Sequence, residues 1–97
     1  MMKMFWIIYA GPRAARVTET LLACGAAGYT EFPKAHGAGT HGRIEGTRAW
    51  PGEESVITSV VAVECAKAVT DGLWAMQDQL VAGERLQFVV LPVDQFR

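Results

Sequence analysis

A positive surplus is missing from this chain: nine Lys and Arg stand against ten Asp and Glu, a formal charge of -1 at pH 7. A surface for nucleic acid or an anionic membrane normally needs a basic excess, so neither partner is expected. Arg13 and Arg16 lie close together, but two arginines are not a patch. Cysteine is scarce as well. Cys24 and Cys65 are the only two, each inside an apolar stretch and without a CxxC spacing, so they read as free buried thiols. Met1 to Ala10 is apolar but too short to cross a membrane, and it lacks the basic start and cleavage site of a secretory leader. It reads as a first strand, and the expected location is the cytoplasm. Catalytic groups are thin too. Neither cysteine has a histidine nearby in sequence, no carboxylates pair at an informative spacing, and no serine sits in a nucleophile elbow. The chain is not expected to be an enzyme.

What is present suits one domain over residues 1–97. Of the 97 residues 51% are hydrophobic, a high share for a domain this small, so part of the apolar surface is expected to face a partner. Lys3 to Tyr9 is dense in aromatic and β-branched residues and predicts a strand. Gly11 and Pro12 break it, proline being well placed at the first turn of a helix. Val17, Leu21 and Cys24 then recur at helical spacing, and Gly25 is a natural stop. Arg13 and Arg16 oppose the dipole of that helix, and nothing local explains them. Tyr29 to Lys34 predicts a second strand, with Pro33 pointing to an edge position or a bulge. Ser55 to Val63 predicts a third strand. Val69, Leu73, Met76 and Leu80 mark a helix over Glu64 to Ala82 that Gly83 closes. Leu86 to Leu91 predicts the last strand.

The order is βαββαβ. It implies an α+β, ferredoxin-like fold: a four-stranded antiparallel sheet with two helices on one face. Sheets with one wet face should alternate apolar and polar residues, yet three of these strands are apolar on both sides. Met4, Trp6 and Ile8 oppose Phe5, Ile7 and Tyr9. Val56 and Val60 oppose Ile57 and Val61, and Leu86, Phe88 and Val90 oppose Val89 and Leu91. Two helices cover only one face, so the other is expected to meet sister subunits.

Ala35 to Glu54 stands apart. Gly37, Gly39, Gly42, Gly46 and Gly52 make it too flexible for a packed element, and so long a loop in a small domain is usually functional. His36 and His41 lie in it, with Glu45, Glu53 and Glu54 nearby; they read either as solvent-exposed loop histidines or as ligands for a borderline metal such as zinc or copper, although their spacing matches no standard motif. Arg43 and Arg48 read as solvated or as paired with a neighbouring glutamate such as Glu45. Trp50 reads as an aromatic anchor, either for the loop itself or, with Arg48, for a partner protein.

Gly25-Ala-Ala-Gly28-Tyr-Thr30 resembles the Gly-x-x-Gly-hydrophobic-Thr step of P-II signalling proteins. Gly42-Arg43-Ile-Glu-Gly46 resembles the Gly-Arg-x-x-Gly at the base of their T-loop. The resemblance, which spans nearly the whole chain, implies a homotrimer with ligand clefts between subunits. It implies an adenine nucleotide (ATP, ADP or AMP) as effector and a T-loop at about 35–54 that controls a partner protein such as a transporter. Thr30, Gly42, Arg43 and Gly46 fall on the ligand side, and Gly83 and Arg85 remain of the family's glycine-rich segment before the last strand. Glycine lets backbone N–H groups approach an anion, and arginine supplies a forked donor for phosphate. The loop carries no tyrosine, so uridylylation of the family type has no acceptor there. Two alternatives stand beside this reading. One is a CutA-like metal sensor using His36 and His41. The other is a small dimeric ferredoxin-like enzyme, for which the strands carry almost no acidic or histidine side chains.

Overall fold

The computed structural model describes residues 1–39, 42–43 and 54–97, without the side chains of 38–39 and 42–43. The elements are β1 (Met2–Ala10), α1 (Ala14–Ala23), β2 (Thr30–Ala35), β3 (Ala38–Gly39), β4 (Gly42–Arg43), β5 (Glu54–Ala62), α2 (Val63–Gln77) and β6 (Arg85–Val93). One sheet takes the order β2-β5-β1-β6, with every neighbouring pair antiparallel. This is the ferredoxin-like α+β arrangement that the strand and helix order implies.

Strand periodicity sorts the side chains. Phe5, Ile7, Tyr9, Ile57, Val61 and Leu86 point to the helices and form one core with Val17, Leu21, Val69, Leu73 and Met76. Register puts their alternates on the opposite face in rows: Met4 beside Val60 and Leu91, Trp6 beside Thr58 and Val89, Ile8 beside Val56 and Gln87. Phe32 extends the last row on β2. Trp6, Phe32, Val89 and Leu91 are 40–54% exposed, so none of the described elements covers this second face. Both edge strands carry a proline, Pro33 in β2 and Pro92 in β6, where a missing N–H costs no ladder bond. Around Pro33 the register also shifts, between Phe32 and Ala35, and Lys34 has a φ of 63°. The strand is therefore at the edge and bulged.

The helices meet closely. Gly25 ends α1 in a Schellman arrangement, Ala26 N–H donating to the Leu21 carbonyl at 3.0 Å and Gly25 N–H to the Leu22 carbonyl at 3.2 Å. Gly72, inside α2, has a packing role: a Cβ there would lie 2.9 Å from both Cys24 Sγ and Thr20 Cγ2. Alanine gains about 1 kcal/mol of helix propensity over glycine, but overpacking costs roughly 1–3 kcal/mol. We expect Gly72→Ala to lower the urea midpoint, a net loss of about 1 kcal/mol; a raised midpoint would show that α1 yields freely.

Two expectations need correction. The second helix does not run to Ala82. It stops at Gln77, with Asp78 as its cap, and residues 78–84 turn towards β6. The apolar stripe misled because Leu80 still packs on the core, from the turn and not from a helix. The glycine-rich segment is also not wholly without structure, since Ala38 pairs with Arg43 and Gly39 with Gly42. Such a ladder satisfies its backbone groups locally and needs no buried side chain.

Candidate functional site

Three features of the described surface bear on ligand binding. The first is a groove at the outer edge of β5. β2 begins at Thr30, opposite Thr58, so β5 beyond that point has no β2 strand alongside. Met2, Gly28, Tyr29, Thr30, Ser59 and Phe96 are among the residues lining the opening, whose volume is ≈ 400 Å³, within the range of small-molecule sites. The Ser59 hydroxyl donates to the Gly28 carbonyl at 2.6 Å and pins the approach to β2. Tyr29 and Phe96 bring two largely exposed aromatic rings to the rim.

The second feature is a hollow on the open face, at the sheet end from which the 35–54 segment departs. Ala10 lies in one row between Glu54 and Arg85. Its methyl leaves a space of ≈ 30 Å³ bounded by Ile8, Ala10, Glu54, Arg85 and Gln87, enough to hold a water. Among the described residues Arg85 makes no ion pair.

The third feature is a polar cluster directly behind that hollow, on the helix side. The Glu84 side chain has 0% exposure. Its carboxylate accepts from the Tyr9 hydroxyl, from Arg13 Nε at 2.8 Å, from Arg13 Nη2 and from Val81 N–H at 2.8 Å. The Tyr9 hydroxyl in turn accepts the Arg13 backbone N–H at 2.9 Å. These donors outweigh burial: chiefly through the Arg13 guanidinium, they hold the Glu84 carboxyl at about 2. Burial, then the bond to Glu84, pushes the Tyr9 phenol above its ordinary value. The cluster also supplies the missing reason for two arginines at the start of α1. Arg13 answers Glu84, and Arg16 Nη2 donates to the Gln79 side chain at 3.1 Å.

The expected ligand residues are dispersed. Thr30 lies in the groove and Arg85 at the hollow. Gly83 sits in the turn before β6 with a φ of 89°. Gly42 and Arg43 are the backbone of β4. Thr30 is level with Trp6 on the β2 edge, and Arg85 is level with Ala10 on the β6 edge. Standard strand spacings place them roughly 19 Å apart, so one chain does not join them. His36 is exposed just past β2. His41, Gly46, Arg48 and Trp50 lie outside the described residues, and among the described residues no cluster of three metal-ligating side chains occurs. Cys24 and Cys65 are free and half-buried. Sequence reasoning missed Tyr29 and Phe96 at the groove and all the partners of Glu84. An uncompensated pair of arginines in a helix's first turn was the only local signal for Glu84.

No helix among the described residues is long and apolar enough to cross a membrane. No family model matches the chain, and no curated protein does. Solved structures do. CPII, a nitrogen regulatory PII-like protein from Thiomonas intermedia bound to ADP, AMP and bicarbonate, matches 97% of this chain and 89% of its own at 22% identity and a TM-score of 0.71. A PII-like signalling protein from Thermus thermophilus matches 93% of this chain and 85% of its own, at 23% identity and a TM-score of 0.61. The divalent cation tolerance protein of the same organism matches 98% and 87%, at 12% identity and a TM-score of 0.64. The chain therefore has the fold that P-II-like signalling proteins share with the CutA-type cation tolerance protein.

Proposed function

We propose that this chain is one subunit of a homotrimeric P-II-like regulator. In this reading an adenine nucleotide binds in the clefts between subunits, and the 35–54 segment controls a partner protein such as a transporter. One observation carries it: the groove at Thr30 and the hollow at Arg85 lie on opposite edges of a sheet whose apolar face is uncovered. When sister sheets cover that face, the β2 edge of one subunit approaches the β6 edge of the next. A base in the Gly28–Thr30 groove of one chain then comes within reach of Arg85 and Gly83 of its neighbour. Burial at such an interface also calls for a negative group opposite Arg85, because a desolvated guanidinium without a partner is costly; Glu54 bounds the same hollow but makes no ion pair with Arg85, which leaves the guanidinium to an anionic ligand. The bound ADP, AMP and bicarbonate of CPII fit this chemistry. Gly42, Arg43 and Gly46 complete the phosphate contact from the base of the segment, and Arg48 and Trp50 face the regulated protein. A ligand that prefers one state of the segment shifts its population and so changes what the partner meets.

Calorimetric titration with ATP, ADP and AMP tests the reading. At least one should bind, Arg85→Ala should weaken it about 10-fold or more through loss of charged hydrogen bonds, and Phe96→Ala should weaken it about 3-fold to 10-fold through loss of base stacking. A correctly folded oligomer that gives no heat with any of the three would end the nucleotide assignment.

A further inference from the structure

The geometry points to Tyr9, Arg13 and Glu84 as a latch that positions Arg85 for an anionic ligand which none of the three touches. The inference rests on the nucleotide reading above and assigns the residues that govern its phosphate half.

Glu84 points to the helix side with 0% side-chain exposure, so Arg85, the next residue, points to the open face and the hollow at Ala10. Arg85 pairs with Ala10, and Leu86 with Tyr9. The Tyr9 hydroxyl, bonded to Glu84, therefore ties together the two strands at the rung where Arg85 enters the sheet. Arg13 holds the same carboxylate from the start of α1, and Val81 N–H closes the turn on it at 2.8 Å. Arg85 cannot slide along β1 or lift from it without breaking bonds to a buried carboxylate.

The fold alone does not require a charge at position 84. An apolar residue at 84 would fill this site without desolvating a charge, and such replacements of buried ion pairs are often neutral or stabilising. Four donors converging on one carboxylate fix a geometry that apolar packing leaves looser. The backbone nearby is shaped to the same end. Gly11 has a φ of 139°, and a Cβ on it would lie 2.5 Å from the Tyr9 hydroxyl oxygen, so any side chain there would push Tyr9 off Glu84. The turn thus held contains Gly83 and delivers Arg85.

The test compares ADP with adenosine, which lacks phosphate, on the oligomeric protein. Tyr9→Phe keeps the ring in the core and removes one bond; Glu84→Gln keeps the shape and removes the charge. ADP affinity should fall about 3-fold in Tyr9→Phe and about 10-fold in Glu84→Gln, while adenosine affinity stays within about 2-fold in both. The amide resonances of Gly83 and Arg85 should shift in Tyr9→Phe. Unchanged ADP affinity in Tyr9→Phe and in a folded Glu84→Gln overturns the latch, as does a parallel loss of adenosine affinity, which marks general damage. Should Glu84→Gln not fold, Tyr9→Phe decides. Arg85→Ala separates this failure from that of the underlying reading. If Arg85→Ala weakens ADP binding and the latch variants do not, only the latch falls. If Arg85→Ala binds ADP normally, or the wild type binds none, the Arg85 assignment falls and takes the latch with it.

Discussion

Two lysines on the open sheet face, in Trp6→Lys/Val89→Lys, should convert the proposed trimer into folded single chains. Trp6 and Val89 are cross-strand partners, 40% and 54% exposed in one chain, and they stand amid Met4, Ile8, Val56, Val60 and Leu91. Each apolar side chain buried in the proposed interface would contribute about 1.5–3 kcal/mol. An unpaired ammonium in the same place costs several kcal/mol per charge, and every subunit would carry two. The core behind β1 depends on Phe5, Ile7 and Tyr9, which face the other way, so helix content should persist. Sedimentation equilibrium should give three chains for the wild type and one for the double variant. A wild type that sediments as a single chain at micromolar concentration would remove the interface, the clefts and the regulatory reading together.

Removing the Glu84 carboxylate should be the most damaging single truncation outside the apolar core. Glu84→Ala leaves the Tyr9 hydroxyl and the Val81 N–H without their acceptor and the Arg13 guanidinium with only the Gln79 carbonyl, at 3.4 Å. Unmade bonds to buried groups cost about 1–3 kcal/mol each for neutral donors and more for charged ones, part of it recovered by water at the exposed side of Arg13. The expected loss is on the order of 3 kcal/mol. The Lys67–Asp71 pair at 2.7 Å, by contrast, is solvated and contributes little. The pH dependence has a definite sign. The Glu84 carboxyl sits at about 2 in the folded chain, below its ordinary value of about 4.3. Its stabilisation is therefore fully present above that ordinary value and drains away as pH falls towards 2. Tyr9 acts at the alkaline end, where a phenol held above its ordinary value makes stability fall as pH rises past about 10. Urea midpoints at pH 7, 4, 3 and 2.5 should converge for wild type and Glu84→Ala as the pH drops. Parallel curves would show that the carboxylate contributes nothing of this kind.

Glu84 also marks the limit of reading this chain residue by residue. Local signals were enough for β1, for the Gly25 stop and for the edge position of Pro33, because each depends on neighbours within a turn or a strand. They failed at residues 78–84. There the apolar spacing continues through Leu80, but the chain leaves the helix after Gln77 because Glu84 draws the turn onto Arg13 and Tyr9, which are 71 and 75 residues away. Phe96 was missed for a related reason. It follows the last strand with no periodicity of its own, and it acquires a setting only beside Gly28, Thr58 and Met2.

Composition and alternation alone dictate a four-strand layer that is apolar on both sides with helices for one, since side-chain direction in a strand follows from period two and nothing else. Packing settled the rest. Only the folded chain brings a glutamate from the last turn, a tyrosine from the first strand and an arginine from the first helix to one point, and only it parts Thr30 from Arg85 across the width of the sheet. Those relations depend on strand order and on how far the chain travels between elements, neither of which is written in any short window of residues.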